Sequence, residues 1–377
     1  MAFRTIKNID YVLFFSLIPL LFAGLTAMKS LGEGGDYFFN RQLVWIAISF
    51  AAFFLMNSAD WRFLRKGNLL LIFYFLGVIS LFLLLLLGKT TRGAAGWFDF
   101  RVFSLAPAEP MKILVILILA KYFARRHIAI AQIRHILISA VFAVLPAGLV
   151  FLQPDFGSAF IFIFIWVGMV MVSGISKKHL VMAAAAGLIA GLIGWNFLLA
   201  PYQKARISSF FYPQDLKGAG YNADQSMVAV GSGRFLGKGI GEGTQSRLEF
   251  LPEHETDFIF AAFAEEWGFG GVLFLFIFFT ISLWRILKTA FIGQTNFERL
   301  FSLGLATLIF AHFFINVGMN IGLLPVTGIT LPFMSYGGSA MVTLFGALGI
   351  LESMRRYSLE MPGNSHKNIL DERRFRI

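Results

Sequence analysis

Long apolar runs separated by short polar connections make up most of this chain. Apolar side chains account for 57% of its 377 residues, and 45 residues are phenylalanine, which is more than a soluble core of this size can bury. A helix of about 20 apolar residues crosses the hydrocarbon core of a bilayer. The pattern therefore predicts an all-α integral membrane protein with about ten transmembrane helices. The predicted spans cover residues 10–29, 42–56, 67–88, 110–124, 136–152, 157–173, 179–200, 257–284, 300–320 and 333–351.

Lysine and arginine are distributed unequally between the two predicted faces. Of the 32 Lys and Arg residues, 20 fall at the N-terminus, in the even-numbered connections and in the C-terminal tail. Because short loops rich in Lys and Arg stay inside the cell, both termini are predicted to be cytoplasmic. The net charge of +11 is therefore interpreted as a sign of membrane topology, and no nucleic-acid partner is expected.

A single polytopic membrane domain, residues 1–356, accounts for these features, and residues 357–377 are predicted to form a polar cytoplasmic tail. One large extracytoplasmic loop, residues 201–256, is expected between helices 7 and 8. The chain has no cysteine, so disulfides and thiolate metal sites are excluded. The first apolar run lacks a small-residue cleavage site and is predicted to be a spanning helix. No internal repeat is evident, which disfavours a transporter.

An acidic cluster lies where the large loop meets the eighth predicted helix. Residues 253–257 read Glu-His-Glu-Thr-Asp. A carboxylate at the mouth of a membrane helix is costly to desolvate, by roughly several kcal/mol if it is unpaired. Such a group faces a wet cavity that handles a polar ligand, or it belongs to an ordinary acidic loop. The spacing alone leaves both interpretations open.

Further charged residues lie on the same predicted face. Glu109 and Lys112 are three residues apart at a helix start, so they can form an ion pair, or Lys112 can bind an anionic ligand. Asp155 can cap the helix that follows it or contribute to a site. The glycine-rich segment 231–241, which contains Lys238, can cradle a phosphate through its N–H groups or form a flexible surface loop.

The predicted outer face thus brings together cations, carboxylates and apolar helices. Cations suit a phosphorylated ligand, carboxylates suit proton abstraction or a divalent cation, and apolar helices suit a lipid tail. An amphiphilic lipid-phosphate substrate fits all three. The cations are Arg92, Arg101, Lys112, Lys204, Arg206, Arg234, Lys238 and Arg247, and the acids are Glu109, Asp155, Glu253, Glu255 and Asp257.

Several motifs together resemble the SEDS family of bacterial cell-wall proteins (shape, elongation, division and sporulation). The resemblance covers nearly the whole chain, and residues 325–329 look more like the elongation member of the family than the division member. The motifs are Leu251-Pro252-Glu253 with Thr256-Asp257-Phe258-Ile259-Phe260, the approach 239–245, Gln153-Pro154-Asp155, residues 322–325, and residues 335–339.

The resemblance implies a ten-helix fold and a peptidoglycan glycosyltransferase that polymerises lipid II outside the bacterial cytoplasmic membrane, releasing undecaprenyl pyrophosphate. It also implies a class B penicillin-binding protein and other cell-elongation proteins as partners, besides membrane lipids. Asp257 matches the essential aspartate of the family, and Glu109 and Lys112 match its Pro-Ser-Glu-x-x-Lys segment. This chain departs from the family where Ala108 replaces the usual serine and Glu255 replaces the usual histidine before Thr-Asp.

The expected chemistry is attack of a sugar hydroxyl on an anomeric carbon, with Asp257 as the general base. A divalent cation, Mg or Mn, could be held by Asp257 or Glu255, although the sequence requires no cofactor and compels no metal site. Alternatives left open are a flippase for lipid-linked precursors, a non-enzymatic scaffold of the cell-wall synthase, and, within the family, a division polymerase. The candidate substrate-binding residues are Lys112, Glu109, Arg92, Arg101, Asp155, Arg206, Lys238 and Glu255.

Overall fold

The structure is a computed structural model in which long helices pack side by side into one bundle. The candidate residues Arg92 and Arg101, the N-terminal residues 1–8 and the tail after residue 360 lie outside the described part of the chain. The structure describes residues 9–30, 35–65, 67–88, 96–99, 104–126, 133–174, 201–211, 219–248, 250–251 and 253–360, and parts of 178–199.

Twelve helices and one short strand pair are numbered here along the described chain. A 3₁₀ turn spans Trp61–Arg65, and a π-helical turn spans Gly194–Leu198. The strands are β1 (Phe98–Asp99) and β2 (Ser104–Leu105). The helices are α1 (Tyr11–Ser30), α2 (Gly35–Ser58), α3 (Leu69–Leu87), α4 (Ala108–Arg126), α5 (Ile133–Leu152), α6 (Phe156–Val172), α7 (Pro201–Phe211), α8 (Ala219–Ser232), α9 (Thr244–Arg247), α10 (Ile259–Ile292), α11 (Asn296–Asn320) and α12 (Gly338–Glu360).

Nine of the ten predicted spans coincide with helices in the described part of the chain, and the seventh, 179–200, is described only in part. Within the described ranges, six helices (α1, α2, α3, α5, α10 and α11) are long and apolar enough to cross a membrane, and α6 is a shorter apolar helix. The predicted multi-pass helical membrane protein is thereby confirmed. Charged side chains on α4 lower its hydropathy, and α12 continues to Glu360, past the predicted domain boundary at 356.

Charges predicted to share the cytoplasmic face do meet at one end of the bundle. The Asp10 carboxylate, just before α1, pairs with Arg285 of α10 at 2.6 Å and lies 3.8 Å from Arg355 of α12. The Asp10 N–H donates to the Glu352 carboxylate at 3.0 Å. Asp10 and Glu352 are 3% and 1% exposed, so an unpaired charge at either position would be costly. The network of paired charges joins α1, α10 and α12.

Two of the connections between the long helices contain secondary structure of their own. The segment 201–256 contains α7, α8 and α9, and β1 pairs with β2 in antiparallel register before α4. The predicted all-α class is confirmed, and the described residues add two details to it: one pair of two-residue strands, and three helices within the segment 201–256. Each strand has only two residues, which is too short for the apolar–polar alternation that predicts a strand, so the ribbon is not evident in the sequence.

The helix α10 is broken near its start, and the glycine-rich segment fills the break. Gly268 has φ 63° and ψ −166°, so the helical ladder stops there. A break frees carbonyl and N–H groups that need other partners at membrane depth. The N–H groups of Lys238 and Gly239 donate to the carbonyl oxygens of Glu265 and Glu266, both at 3.0 Å.

The pairing also runs in the other direction across the break. The N–H groups of Phe269 and Gly270 donate to the carbonyl oxygens of Arg234 and Phe235 at 2.9 and 3.1 Å. The glycine-rich segment is therefore packed against α10, and the Lys238 and Gly239 N–H groups that a phosphate cradle would use are already bonded to α10. Its glycines permit close approach of two backbones.

Gly237 provides a test of this packing. Its φ is 80°, and a Cβ built there would overlap the Glu266 carbonyl oxygen. Gly237→Ala should therefore cost about 1–3 kcal/mol or more of folding free energy, seen as a lower melting temperature in detergent. The matched control is Gly231→Ala in α8, where a Cβ meets no atom within 4 Å. Equal melting temperatures for the two variants would contradict the packing argument.

Candidate functional site

The acidic cluster forms a tight turn immediately before α10. Glu253 has φ 51°, an uncommon conformation for a residue other than glycine. Its carbonyl oxygen accepts hydrogen bonds from the N–H groups of Thr256, Asp257 and Phe258 at 3.1, 3.1 and 3.2 Å. Phe258 is the N-cap of α10, so the Asp257 side chain lies at the entrance of that helix, where it is half-buried.

Two fully buried asparagines of α11 hold the main chain of Asp257. The Asn316 amide donates to the Asp257 carbonyl oxygen at 2.9 Å and to the Ile329 carbonyl oxygen at 2.7 Å. The Asn320 amide donates to the same Asp257 oxygen at 3.1 Å. These bonds fix the backbone from which the carboxylate projects, and they link it to the connection between α11 and α12, residues 321–337.

That connection also holds the acidic turn directly. The Ser335 hydroxyl donates to the Thr256 carbonyl oxygen at 2.7 Å, and the Tyr336 N–H donates to the Glu255 carbonyl oxygen at 2.9 Å. One N–H and one hydroxyl of this irregular connection are thus bonded to carbonyl oxygens of the acidic turn. The two motifs that are far apart in sequence, 253–257 and 335–339, are in contact.

Gly328 brings backbone close to the carboxylate itself. It has φ 76°, and a Cβ built there would lie 3.4 Å from Asp257 Oδ2. A left-handed glycine therefore allows the connection to turn beside the acid without a side chain in the way. This proximity places Asp257 beside the 321–337 connection rather than out in the large loop.

Lys112 is buried near the same connection, because it contacts His312, which in turn contacts Thr330. Its side chain is 1% exposed, and its ammonium donates to Glu109 Oε1 at 2.7 Å. The ammonium also lies 3.1 Å from His312 Nε2, while His312 Nδ1 lies 3.2 Å from the Thr330 carbonyl oxygen. The predicted Glu109–Lys112 ion pair is therefore present, and a histidine of α11 is a further partner of the lysine.

Asp155 caps α6 beside this group. Its carboxylate accepts from the Ser158 N–H at 2.9 Å, which is the capping role considered from the sequence. Burial raises the pKa of the Asp155 carboxyl, and the bond from Ser158 and the nearby Lys112 charge oppose that rise. Gly157, two residues after Asp155, packs tightly against the Thr327 carbonyl, so the turn lies on the 321–337 connection.

Lys238 is engaged in a separate cluster. Its ammonium donates to Glu265 Oε1 at 2.7 Å and to the Thr244 hydroxyl at 2.8 Å. The Glu265 carboxylate, 0% exposed, also accepts from the N–H groups of Gln245 and Ser246. The buried acid is thus saturated with donors, and Lys238 ties the glycine-rich segment to α10 in this structure.

The remaining candidates are placed as follows. Arg92 and Arg101 lie outside the described residues, and Arg206 lies on α7 in a stretch whose backbone alone is described. Glu255 is buried at 7% exposure, with His254 Nε2 at 3.8 Å from its carboxylate. Substrate contact by these residues stays a prediction.

Asp257 and Glu255 are the candidate ligands for a metal ion. Within the ranges that the structure describes, no group of three or more His, Asp and Glu side chains is arranged to hold a metal ion. A carboxylate at either position offers the oxygen ligands that hard cations prefer, so an ion would need further ligands from substrate or water.

The polar face of α11 is the part of the site that sequence reasoning missed. His312, Asn316 and Asn320 are 5%, 0% and 0% exposed and recur every four residues, so they share one face of the helix. Three polar residues at that spacing in an apolar helix are the signal that could have identified it, because buried polar groups in a membrane mark partners or function.

Comparison with known proteins identifies relatives of this chain. Residues 5–360 match a family model described as cell cycle protein and named for FtsW, RodA and SpoVE. The chain is 38% identical over 287 residues to the peptidoglycan glycosyltransferase MrdB of Escherichia coli (strain K12), covering 75% of this chain and 77% of that protein. It is 35% identical over 325 residues to the stage V sporulation protein E of Bacillus subtilis (strain 168), covering 85% and 88%.

A solved structure shares the fold. A chain from a study of polymerisation and crosslinking by a peptidoglycan synthase complex superposes with a TM-score of 0.81 and 28% identity, covering 93% of this chain and 99% of that one. The predicted family resemblance is confirmed by these matches. This multi-pass membrane protein belongs to the FtsW, RodA and SpoVE family of cell cycle proteins.

Proposed function

We propose that this protein is a peptidoglycan glycosyltransferase that polymerises lipid II at the outer face of the bacterial cytoplasmic membrane. The observation that carries the proposal is that one helix, α11, contacts both a turn bearing a carboxylate and a buried ammonium. Asp257 offers a half-buried carboxylate whose main chain is fixed by Asn316, and Lys112 offers a buried ammonium held by His312. The E. coli relative bears the name of that activity.

In the proposed reaction, Asp257 takes the proton of an attacking sugar hydroxyl. The hydroxyl oxygen forms a bond to the anomeric carbon of the second substrate, and the bond from that carbon to the phosphate oxygen breaks. Undecaprenyl pyrophosphate leaves with the electron pair and needs positive charge nearby more than it needs a proton. Lys112 is the cation best supported for that task, because it contacts His312 of α11, the helix whose Asn316 holds the main chain of Asp257.

Other groups could share the neutralisation of the leaving group. Arg92, Arg101, Arg206 and Lys238 stay candidates, although Lys238 would first have to release Glu265. A divalent cation, Mg or Mn, bound with Asp257 is a further candidate. Polymer formation after chelation with EDTA and after return of each metal tests this part of the proposal.

The direct test is incubation of the purified full-length protein with fluorescent lipid II, with products scored on a gel. A ladder of glycan polymer supports the proposed activity. Absence of polymer together with transfer of labelled lipid across liposomes would support the flippase alternative. Absence of both would leave the scaffold alternative.

The proposed biological role is wall synthesis during elongation and the maintenance of cell shape. The assignment rests on residues 325–329, which resemble the elongation member. A division polymerase is the alternative within the family. Depletion in cells distinguishes the two, since loss of an elongation enzyme gives rounded cells and loss of a division enzyme gives filaments.

A class B penicillin-binding protein with one N-terminal membrane helix is the proposed partner, and it is expected to raise the rate of polymerisation. The matching solved chain belongs to a peptidoglycan synthase complex, and apolar residues on α10 such as Phe269, Leu273 and Ile277 are exposed on the outside of the bundle. We expect the two proteins to co-purify and the complex to polymerise faster. Equal rates with and without the partner would remove its activating role.

The proposed location is the cytoplasmic membrane with both termini inside. The chain has no cysteine, so single cysteines can report on each face. Asn68 and Glu242 are both exposed and lie on opposite predicted sides. In intact spheroplasts, an impermeant maleimide should label the Glu242→Cys variant and should reach the Asn68→Cys variant only after permeabilisation. Labelling of Asn68→Cys without permeabilisation would invert the orientation.

A further inference from the structure

The polar face of α11, defined here as His312, Asn316 and Asn320, touches both halves of the candidate site. Four residues advance a helix by about 6 Å, so the three side chains form a row of about 12 Å along one face. One end of the row contacts Lys112, and the other contacts the main chain of Asp257. The elements that carry these two groups, α4 and the turn before α10, are otherwise far apart in sequence.

The contacts of His312 determine its tautomer. Its Nδ1 faces the Thr330 carbonyl oxygen, which can only accept, so Nδ1 carries the hydrogen. Its Nε2 therefore presents a lone pair to Lys112, which donates as an ammonium. A neutral imidazole in this tautomer holds the cation without competing for Glu109, and it fixes the cation relative to the 321–337 connection.

Hydrogen bonds also fix the orientation of the Asn316 and Asn320 side-chain amides. Both hydrogens of the Asn316 amide are used on the carbonyl oxygens of Asp257 and Ile329. The Asn320 amide donates to Asp257 and to Asn316, while its oxygen accepts from the Ala261 N–H at 3.2 Å. A flipped amide would oppose oxygen to oxygen, so each side chain has one satisfied orientation.

We infer that this face of α11 is a positioning element, which holds the Lys112 ammonium and the Asp257 carboxylate at a fixed relative position for glycosyl transfer. The inference rests on the proposed function. A displacement of about 1 Å between reacting groups is enough to cost roughly 100-fold in rate. The opposing explanation is that the three residues only stabilise the bundle, as buried interhelical hydrogen bonds do.

The test compares His312→Phe and Asn316→Leu with Thr307→Val, a control on another face of α11 whose hydroxyl bonds within the helix to the Leu303 carbonyl. We expect kcat to fall about 10- to 100-fold in the first two variants at little-changed KM, and to be unchanged in the control. His312→Gln, which can still donate and accept, should recover much of the loss. Should an apolar variant not be recovered folded, Asn316→Ser, which is polar but too short, carries the test.

Hydrogen–deuterium exchange provides a readout that does not depend on catalysis. Asn316→Leu should accelerate exchange of the amides in 253–258, and Thr307→Val should not. Lower melting temperatures with unchanged kcat, or unchanged exchange in 253–258, would overturn the inference. A wild-type protein that makes no polymer would instead overturn the proposed function, and the exchange result would still decide whether α11 positions the acidic turn.

Discussion

Asp257→Asn is expected to fold, insert and bind lipid II, and to make no detectable glycan polymer. The amide has the shape of the carboxylate but cannot take a proton from a sugar hydroxyl. Loss of one acid–base group typically lowers a rate by about 10²–10⁴. The main-chain bonds from Asn316 and Asn320 do not involve the side chain of residue 257, so the turn should keep its position. Fluorescent lipid II on gels measures the polymer, and melting temperature measures folding.

Glu255→Gln is the matched control for this change. Glu255 lies two residues away in the same turn, is buried, and faces His254. Its loss should be milder, within about tenfold in rate, because a neighbouring charge tunes the site rather than transferring the proton. Undiminished polymerisation by Asp257→Asn would refute the catalytic assignment, and equal losses in both variants would indicate a general effect of charge.

Lys112→Met is expected to lower both polymerisation and stability. The lysine is 1% exposed and its removal strands the Glu109 carboxylate, which is 16% exposed. Breaking a buried ion pair costs about 3–5 kcal/mol, and partial access of water to Glu109 should reduce that figure. Polymerisation should fall by a factor on the order of 10²–10³, as when one electrostatic contact to a transition state is removed. Melting temperature and polymer yield are measured on the same preparation.

The double variant Lys112→Met with Glu109→Gln separates the two effects. It removes the stranded charge, so the melting temperature should recover while polymerisation stays low. Glu109→Gln alone keeps the ammonium and should retain more activity than the double variant. Recovery of both stability and polymerisation in the double variant would show that Lys112 serves only as a structural ion pair.

Much of the site was predictable because charge at membrane depth is expensive. Asp257, Glu109 and Lys112 were identified as carboxylates and a cation beside apolar helices, and the family resemblance singled out Asp257 among the acids. The structure places Asp257 beside Gly328 and joins Lys112 to Glu109 and His312. Lys238 was identified by the same reasoning, yet it is paired with Glu265. Local charge shows that a partner is needed, but the partner lies 27 residues away and only folding selects it.

The sequence by itself determined the class of this protein and the approximate place of its helices, because hydrocarbon admits only segments whose backbone is internally bonded and whose side chains are apolar. Tertiary structure alone decided the break of α10 at Gly268 and the use of the glycine-rich segment to fill it. It also decided that the polar face of α11 joins Lys112 to Asp257. Both depend on hydrogen bonds between distant segments, and local sequence spacing, even the four-residue recurrence on α11, does not say which distant partner each polar group meets.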